Sequence, residues 1–194
     1  MLPFLHGKLP ALECLLARSS EVLVKYNRLD LDLAAALTAC LDEAINSHRA
    51  LQRGTAENEW LALKAQFVSA AHGVYPVTLE RVIGHRRELM RGVALRVLQH
   101  SAERLRTDIA QHRQRLDDAL APLRLIVLLA FRQGLITPRA RVPMSAARIK
   151  ALWRDLLREP DIALAARQVA MQVSVHDILL LLADLVTAAQ QVSR

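Results

Sequence analysis

The most informative segment of this chain for its architecture is VTLERVIGHRRELMRGVALRVLQHSAERLRTDIAQHRQRLDDAL, residues 77–120. Its apolar side chains recur every three to four residues, which predicts one long helix. They follow two stripes, first Leu79, Ile83, Met90, Val93 and Val97, then Leu98, Ala102, Leu105, Ile109, Leu116, Ala119 and Leu123. The change of stripe near Val97 indicates that the helix changes its packing partner there. Such a helix is about 60–65 Å long, so we expect it to protrude or to bridge two sub-bundles.

The composition favours an all-α protein. Apolar residues make up 53% of the 194 residues but aromatic residues only 4%, so Leu, Ala and Val fill the core. Only 6 Gly and 7 Pro interrupt the chain, and β-branched alternation is nearly absent. We expect a single all-helical domain over 1–194, a bundle of seven to eight helices organised on one long central helix. Within it, 1–97 and 98–194 could form sub-bundles that share the long helix.

Residues that start and stop helices divide the rest of the chain. Pro76 opens the long helix, and Pro122 ends or kinks it. Ser174 and Asp177 are spaced as in a capping box at the start of the last helix. Helices are predicted, in chain order, over about 11–25, 31–52, 55–73, 77–120, 123–133, 145–158, 160–172 and from 174 to near the C terminus.

Charge is sorted by position along the chain. Residues 81–158 hold 17 Arg and Lys against 6 Asp and Glu, whereas the segments before and after this block each have a balance of −2. A block of +11 makes an electropositive surface that attracts polyanions. Arg outnumbers Lys by 22 to 4, and the planar Arg fork suits phosphate, although GC-rich codon usage gives the same ratio.

The clearest candidate site is the helix over 145–158. Lys150, Arg154 and Arg158 recur every four residues, opposite an apolar side made by Ile149, Leu152, Trp153 and Leu156. Cations about 6 Å apart match the phosphate repeat of one strand. Arg139 and Arg141, in the basic loop just upstream, extend the site towards the helix N-terminus. A solvated amphipathic helix explains the same pattern without a ligand.

A second set of candidate phosphate contacts lies on the long helix, where basic residues form polar stripes. Part of this charge is offset by Glu88 and Glu103, so a salt-bridged solvated face and an acidic protein partner remain alternatives. The candidate residues are Arg87, Arg91, Arg96, Arg104 and Arg115.

Other kinds of site are not indicated. Trp153 and Phe131, the aromatic residues of the basic block, lie on apolar sides, so base stacking is not predicted. A helix-turn-helix over 165–182 fails because its second helix has no basic residue to read bases. Zinc, di-iron, hydrolase and phosphate-loop motifs are absent, so neither a metal nor a cofactor is predicted, and His48 and His112 are expected in the core.

One catalytic motif matches by spacing alone. Arg106 and His112 fit the Arg-x(4–6)-His pattern of HEPN-type ribonucleases. A chain this rich in Arg and His produces that spacing by chance, and His112 falls on an apolar stripe. A HEPN-like ribonuclease is therefore a hypothesis that depends on this spacing alone, and we expect no enzyme.

Cys14 and Cys40 both lie among apolar residues, which predicts two buried thiols in a reducing compartment. A signal peptide is not expected, and the longest charge-free apolar run, 125–131, is too short to span a membrane. The sequence therefore predicts a cytoplasmic, non-membrane, non-catalytic nucleic-acid-binding subunit, contacting DNA or RNA through the phosphate backbone with little sequence preference. Other subunits or copies of itself are expected to cover its apolar surface. The alternative is a helical adaptor or chaperone that binds an acidic protein.

Overall fold

A computed structural model describes residues 2–49, 54–136 and 144–192. Within these ranges the chain forms seven helices and no strand, which confirms an all-α bundle with one long central helix. The helices are α1 (Leu5–Asn27), α2 (Leu33–Arg49), α3 (Gly54–Ala71), α4 (Arg86–Arg132), α5 (Ala146–Leu156), α6 (Pro160–Gln172) and α7 (Val175–Val192).

The long helix begins later than its apolar spacing predicts. Residues 74–85 form a turn-rich segment held by an isolated bridge between Val74 and Arg81. Leu79, Gly84 and His85 all have positive φ, at 60°, 86° and 26°, which no right-handed helix accommodates. The predicted start at residue 77 is therefore wrong, and α4 starts at Arg86.

The long helix also ends later than predicted, because α4 continues through Pro122 to Arg132. A proline inside a helix removes one hydrogen bond and costs about 3 kcal/mol. Buried side chains on both sides of Pro122, including Ala119, Leu123 and Ile126, offset this cost through the apolar area they bury. The predicted break at Pro122 and the separate helix over 123–133 are wrong.

The chain divides into two compact units. The first unit comprises Met1–Leu9 and Gln111–Arg194, and the second comprises Pro10–Ala110. The divisions fall inside α1 and inside α4 rather than in loops. The sub-bundle boundary at 97–98 and the single domain stay predictions.

The core of the first unit joins the second part of α4 to α5, α6 and α7. Leu123, Leu156, Ile162, Ile178 and Leu182 have no exposed surface in this cluster. α6 follows the predicted bounds, since Pro160 occupies its first turn, where the missing N–H costs nothing.

Asp177 ties the start of α1 to the start of α7 within the first unit. The predicted cap is confirmed, because the Asp177 N–H donates to Ser174 Oγ at 3.2 Å. The Asp177 carboxylate accepts hydrogen bonds from the Leu5 and His6 N–H groups, each at 2.9 Å, and from Ser174 Oγ at 2.6 Å. Its burial alone would raise the pKa, but these bonds and the His6 ring together hold the pKa of Asp177 below its ordinary value.

The core of the second unit packs α2 against α3, around the fully buried Trp60 and Phe67. His48 lies here as predicted, with Nδ1 2.8 Å from the Ala44 carbonyl and Nε2 3.5 Å from Asp108 Oδ2. His112, in the first unit, is also buried as predicted.

The two cysteines differ in their surroundings. Cys40 is buried as predicted, and its burial raises the pKa of the thiol. Cys14 is exposed, so the prediction that both thiols are buried is wrong. The buried side of α1 follows Leu12, Leu15 and Val22, and Cys14 lies beside this stripe rather than on it.

Candidate nucleic-acid interface

The candidate site is built on α5, an amphipathic helix of the first unit. Ser145 caps it, with Oγ accepting from the Arg148 N–H at 3.4 Å. Trp153 and Leu156 are among its four buried residues and pack into the core with α6 and α7. This packing fixes the rotation of the helix, so the opposite side faces the solvent.

Lys150, Arg154 and Arg158, here called the α5 cation row, are all exposed on that side. Arg158 lies two residues beyond the end of α5, in the turn that closes the helix. The Leu157 N–H donates to Trp153 O at 3.1 Å, and the Glu159 N–H donates to Asp155 O at 3.2 Å. The Arg158 N–H donates to Asp155 O at 3.0 Å, three residues back instead of four, so the regular spacing of about 6 Å per four residues holds for Lys150 and Arg154 and ends before Arg158.

The α5 cation row forms no ion pair with any residue that the structure describes. Three cations of the second unit are paired instead. Arg18 pairs with Glu43, Arg49 Nε lies 2.8 Å from Glu57, and Lys64 Nζ lies 2.5 Å from Asp42. Because a solvated cation without a carboxylate neighbour keeps its full charge towards solvent, the row is the more available ligand for an anion.

The first unit offers further exposed cations. Arg115 of the predicted set is exposed on α4 and forms no ion pair with a described residue. Arg148 and Arg167 are also exposed, and sequence reasoning did not select them because they do not continue the four-residue spacing. Arg139 and Arg141 lie outside the described residues.

The predicted cations of the second unit fall into two groups. Arg87 and Arg96 are exposed, without an ion pair to a described residue. Arg91 is half-buried: its Nη2 donates to the Tyr26 carbonyl at 3.0 Å, and its guanidinium lies 4.6 Å from the centre of the Tyr26 ring.

Arg104 also forms ion pairs with residues of the second unit. Its Nε lies 3.4 Å from Glu59 Oε2 and 3.5 Å from Asp108 Oδ2. Arg91 and Arg104 thus already have partners within the protein, and they contribute less to a phosphate-binding surface than the exposed members do.

The net charge belongs almost entirely to the first unit. That unit holds 13 Arg and Lys against 7 Asp and Glu, whereas the second holds 13 against 12. The acidic residues before position 80 balance the basic residues after it once the chain folds into the second unit. The surplus of positive charge that the central block contains in the sequence therefore belongs mainly to the unit that contains α5.

The described residues show no arrangement suited to metal chemistry, since no group of three or more His, Cys, Asp or Glu side chains could hold an ion among them. The two residues of the HEPN-type spacing differ in exposure. Arg106 is exposed, but His112 is only 2% exposed, so its ring is not accessible to a substrate. Among the described helices, none combines the length and apolar character needed to cross a lipid bilayer.

Comparisons with known proteins add no relative. No protein-family model, no curated protein and no solved structure matches this chain significantly.

Proposed function

We propose that this protein is a non-catalytic nucleic-acid-binding subunit of a larger assembly. It contacts the phosphate backbone of DNA or RNA through exposed Arg and Lys side chains, with little sequence preference. The observation that supports this most is the α5 cation row, which is exposed and not neutralised by a described carboxylate. Each phosphate that such a cation neutralises releases condensed counterions, which favours binding.

Backbone contact is favoured over base recognition by the positions of the aromatic residues within the basic block, 81–158. Trp153 is buried and Phe131 is half-buried, so neither offers an open ring for a base. Arg and Lys on a helix surface position a protein on phosphates without selecting a sequence.

Membership of an assembly is supported by the apolar surface. Ile83 is 97% exposed, Met171 72% and Leu164 71%, which is costly for a protein that works alone. The same side chains favour a second candidate function, an adaptor or chaperone that binds an acidic protein, because phosphate does not need apolar contacts.

The test is a salt titration of binding to labelled oligonucleotides of two unrelated sequences, single- and double-stranded, measured by fluorescence anisotropy. The wild type should bind both sequences alike. Lys150→Glu/Arg154→Glu/Arg158→Glu should weaken binding to all of them and flatten the slope of log affinity against log salt by about 0.7–0.9 per lost contact.

The matched control is Arg28→Glu/Arg81→Glu/Arg106→Glu, which changes the net charge equally at exposed positions of the second unit. Unchanged affinity of the α5 triple variant, or equal losses in both triple variants, removes the proposed site. A purified protein with a clean 260/280 nm absorbance ratio, no oligonucleotide binding and salt-sensitive capture of an acidic protein would favour the adaptor.

A further inference from the structure

The part of α4 in the first unit has a second regular face, directly opposite the core. Its buried stripe runs through Leu116, Ala119, Leu123, Ile126 and Ala130. Two residues further on from each of these positions, and so about 200° around the helix, lies an exposed residue. This outer face consists of Asp118, Ala121, Leu125, Leu128 and Arg132.

The outer face has the spacing of a coiled-coil seam. Its members follow steps of three and four residues, the repeat by which one helix packs against another. Leu125 is 63% exposed and Leu128 49%, and both lie within the last eight residues of α4, between Pro122 and the end of the helix at Arg132. Since the core takes the opposite side of α4, the first unit leaves these two leucines to the solvent.

The charges at the two ends of the outer face are opposite. Asp118 lies at one end, accepting a hydrogen bond from Gln114 Nε2 at 2.7 Å, and Arg132 lies at the other, as the last residue of α4. The two leucines lie between them. A face with acid at one end, base at the other and leucine in the centre is complementary to itself when turned end to end.

We propose that the outer face of α4 binds a second copy of this chain, with the two helices antiparallel. A two-fold axis between residues 125 and 128 places Leu125 of one copy against Leu128 of the other. The same axis brings Asp118 within about 4.5 Å, measured along the helix, of Arg132 of the second copy, within reach of an Arg side chain. A parallel pair would instead oppose Asp118 to Asp118 and Arg132 to Arg132, which repel.

Sedimentation velocity over a range of protein concentrations tests the apolar part of the proposal. The wild type should be a reversible dimer, and Leu125→Glu/Leu128→Glu should be a monomer at every concentration. Leu180→Glu, the same change at a leucine of α7 that is 44% exposed, is the control and should leave the dimer intact. Circular dichroism shows whether each variant is folded, and exposed positions should tolerate these changes.

Charge reversal tests the antiparallel orientation. Asp118→Arg alone and Arg132→Glu alone should each weaken the dimer at least about tenfold, since each opposes like charges at both ends. An equimolar mixture of the two variants should restore it as a heterodimer, because every end then pairs Arg with an acid. Arg106→Glu, on another side of α4, should have no effect.

Three results would overturn the proposal. They are a wild type that stays monomeric at all concentrations, an assembly that survives Leu125→Glu/Leu128→Glu, and a mixture of the two charge variants that associates no better than either alone. None of these measurements involves nucleic acid, so they succeed or fail independently of the proposed function.

Discussion

Asp177 shows how one side chain can organise two helix ends. Its carboxylate has no exposed surface, yet it stays charged because backbone and side-chain donors surround it. Negative charge at the N-terminus of a helix is favourable, and Asp177 lies at the N-termini of both α1 and α7. The residue therefore contributes stability through bonds that few other side chains can make.

We expect Asp177→Asn to lower the free energy of unfolding by about 2–3 kcal/mol, because the amide replaces an acceptor oxygen with a donor that faces N–H groups. Chemical denaturation at neutral pH measures this loss. Asp184→Asn, an exposed change on the same helix, is the control and should be nearly neutral. A loss no larger than that of the control would contradict the account of the cap.

The lowered pKa of Asp177 makes its contribution to the free energy of unfolding depend on pH. The folded pKa lies below the ordinary 3.8, so the stabilisation is complete above 3.8 and is lost as pH falls towards the folded pKa. The difference in unfolding free energy between wild type and Asp177→Asn should be constant from about pH 7 to about pH 5 and shrink below about pH 4. A difference that grows on acidification would mean that the carboxyl is protonated in the folded protein.

The helix α4 is long and has a proline, Pro122, in its interior. The core residues on either side of Pro122 keep it continuous, but the N–H that the proline lacks is still missing. Pro122→Ala should therefore raise the free energy of unfolding by about 1 kcal/mol, less than the full cost because the packing has adapted to the proline. Pro160→Ala, at the first turn of α6, is the control and should bring no gain. If Pro122→Ala destabilises the protein, the proline contributes to the packing of α4 and is not a net cost.

The bounds of the helices show what apolar spacing can and cannot predict. Leu79 and Ile83 continue the apolar spacing of α4, yet they lie in the turn-rich segment and are 73% and 97% exposed. Apolar spacing predicts where a side chain would point if the backbone were helical. It does not predict the backbone dihedral angles, such as the positive φ of Leu79. α6 was predictable because a proline marks its first turn.

The candidate site was predictable in part, for a similar reason. The α5 cation row was visible because it alternates with an apolar side in a short stretch of sequence. The internal partners of Arg91 and Arg104 were not, because Tyr26 and Glu59 are far away along the chain and meet them only after folding. Local pattern therefore identifies which cations share a helix side, but not which of them are already paired.

Folding divides between the two units the positive charge that the sequence groups in one block. The second unit contains almost as many acidic as basic residues, so its positive electrostatic potential is largely cancelled at a distance. The first unit keeps a surplus of positive charge, and under the proposed function its exposed cations would attract a polyanion together.

This asymmetry predicts an order among charge variants. Lys150→Glu/Arg154→Glu and Arg87→Glu/Arg96→Glu change the net charge equally, but the first pair should weaken oligonucleotide binding at least about tenfold and the second by about threefold or less. Fluorescence anisotropy at low and at near-physiological salt measures the affinity of both double variants. The difference between their losses of affinity should become smaller at the higher salt concentration, because salt screens the electrostatic attraction. Equal losses would mean that binding follows total charge rather than the surplus of the first unit. A larger loss from Arg87→Glu/Arg96→Glu would move the contact surface to the second unit.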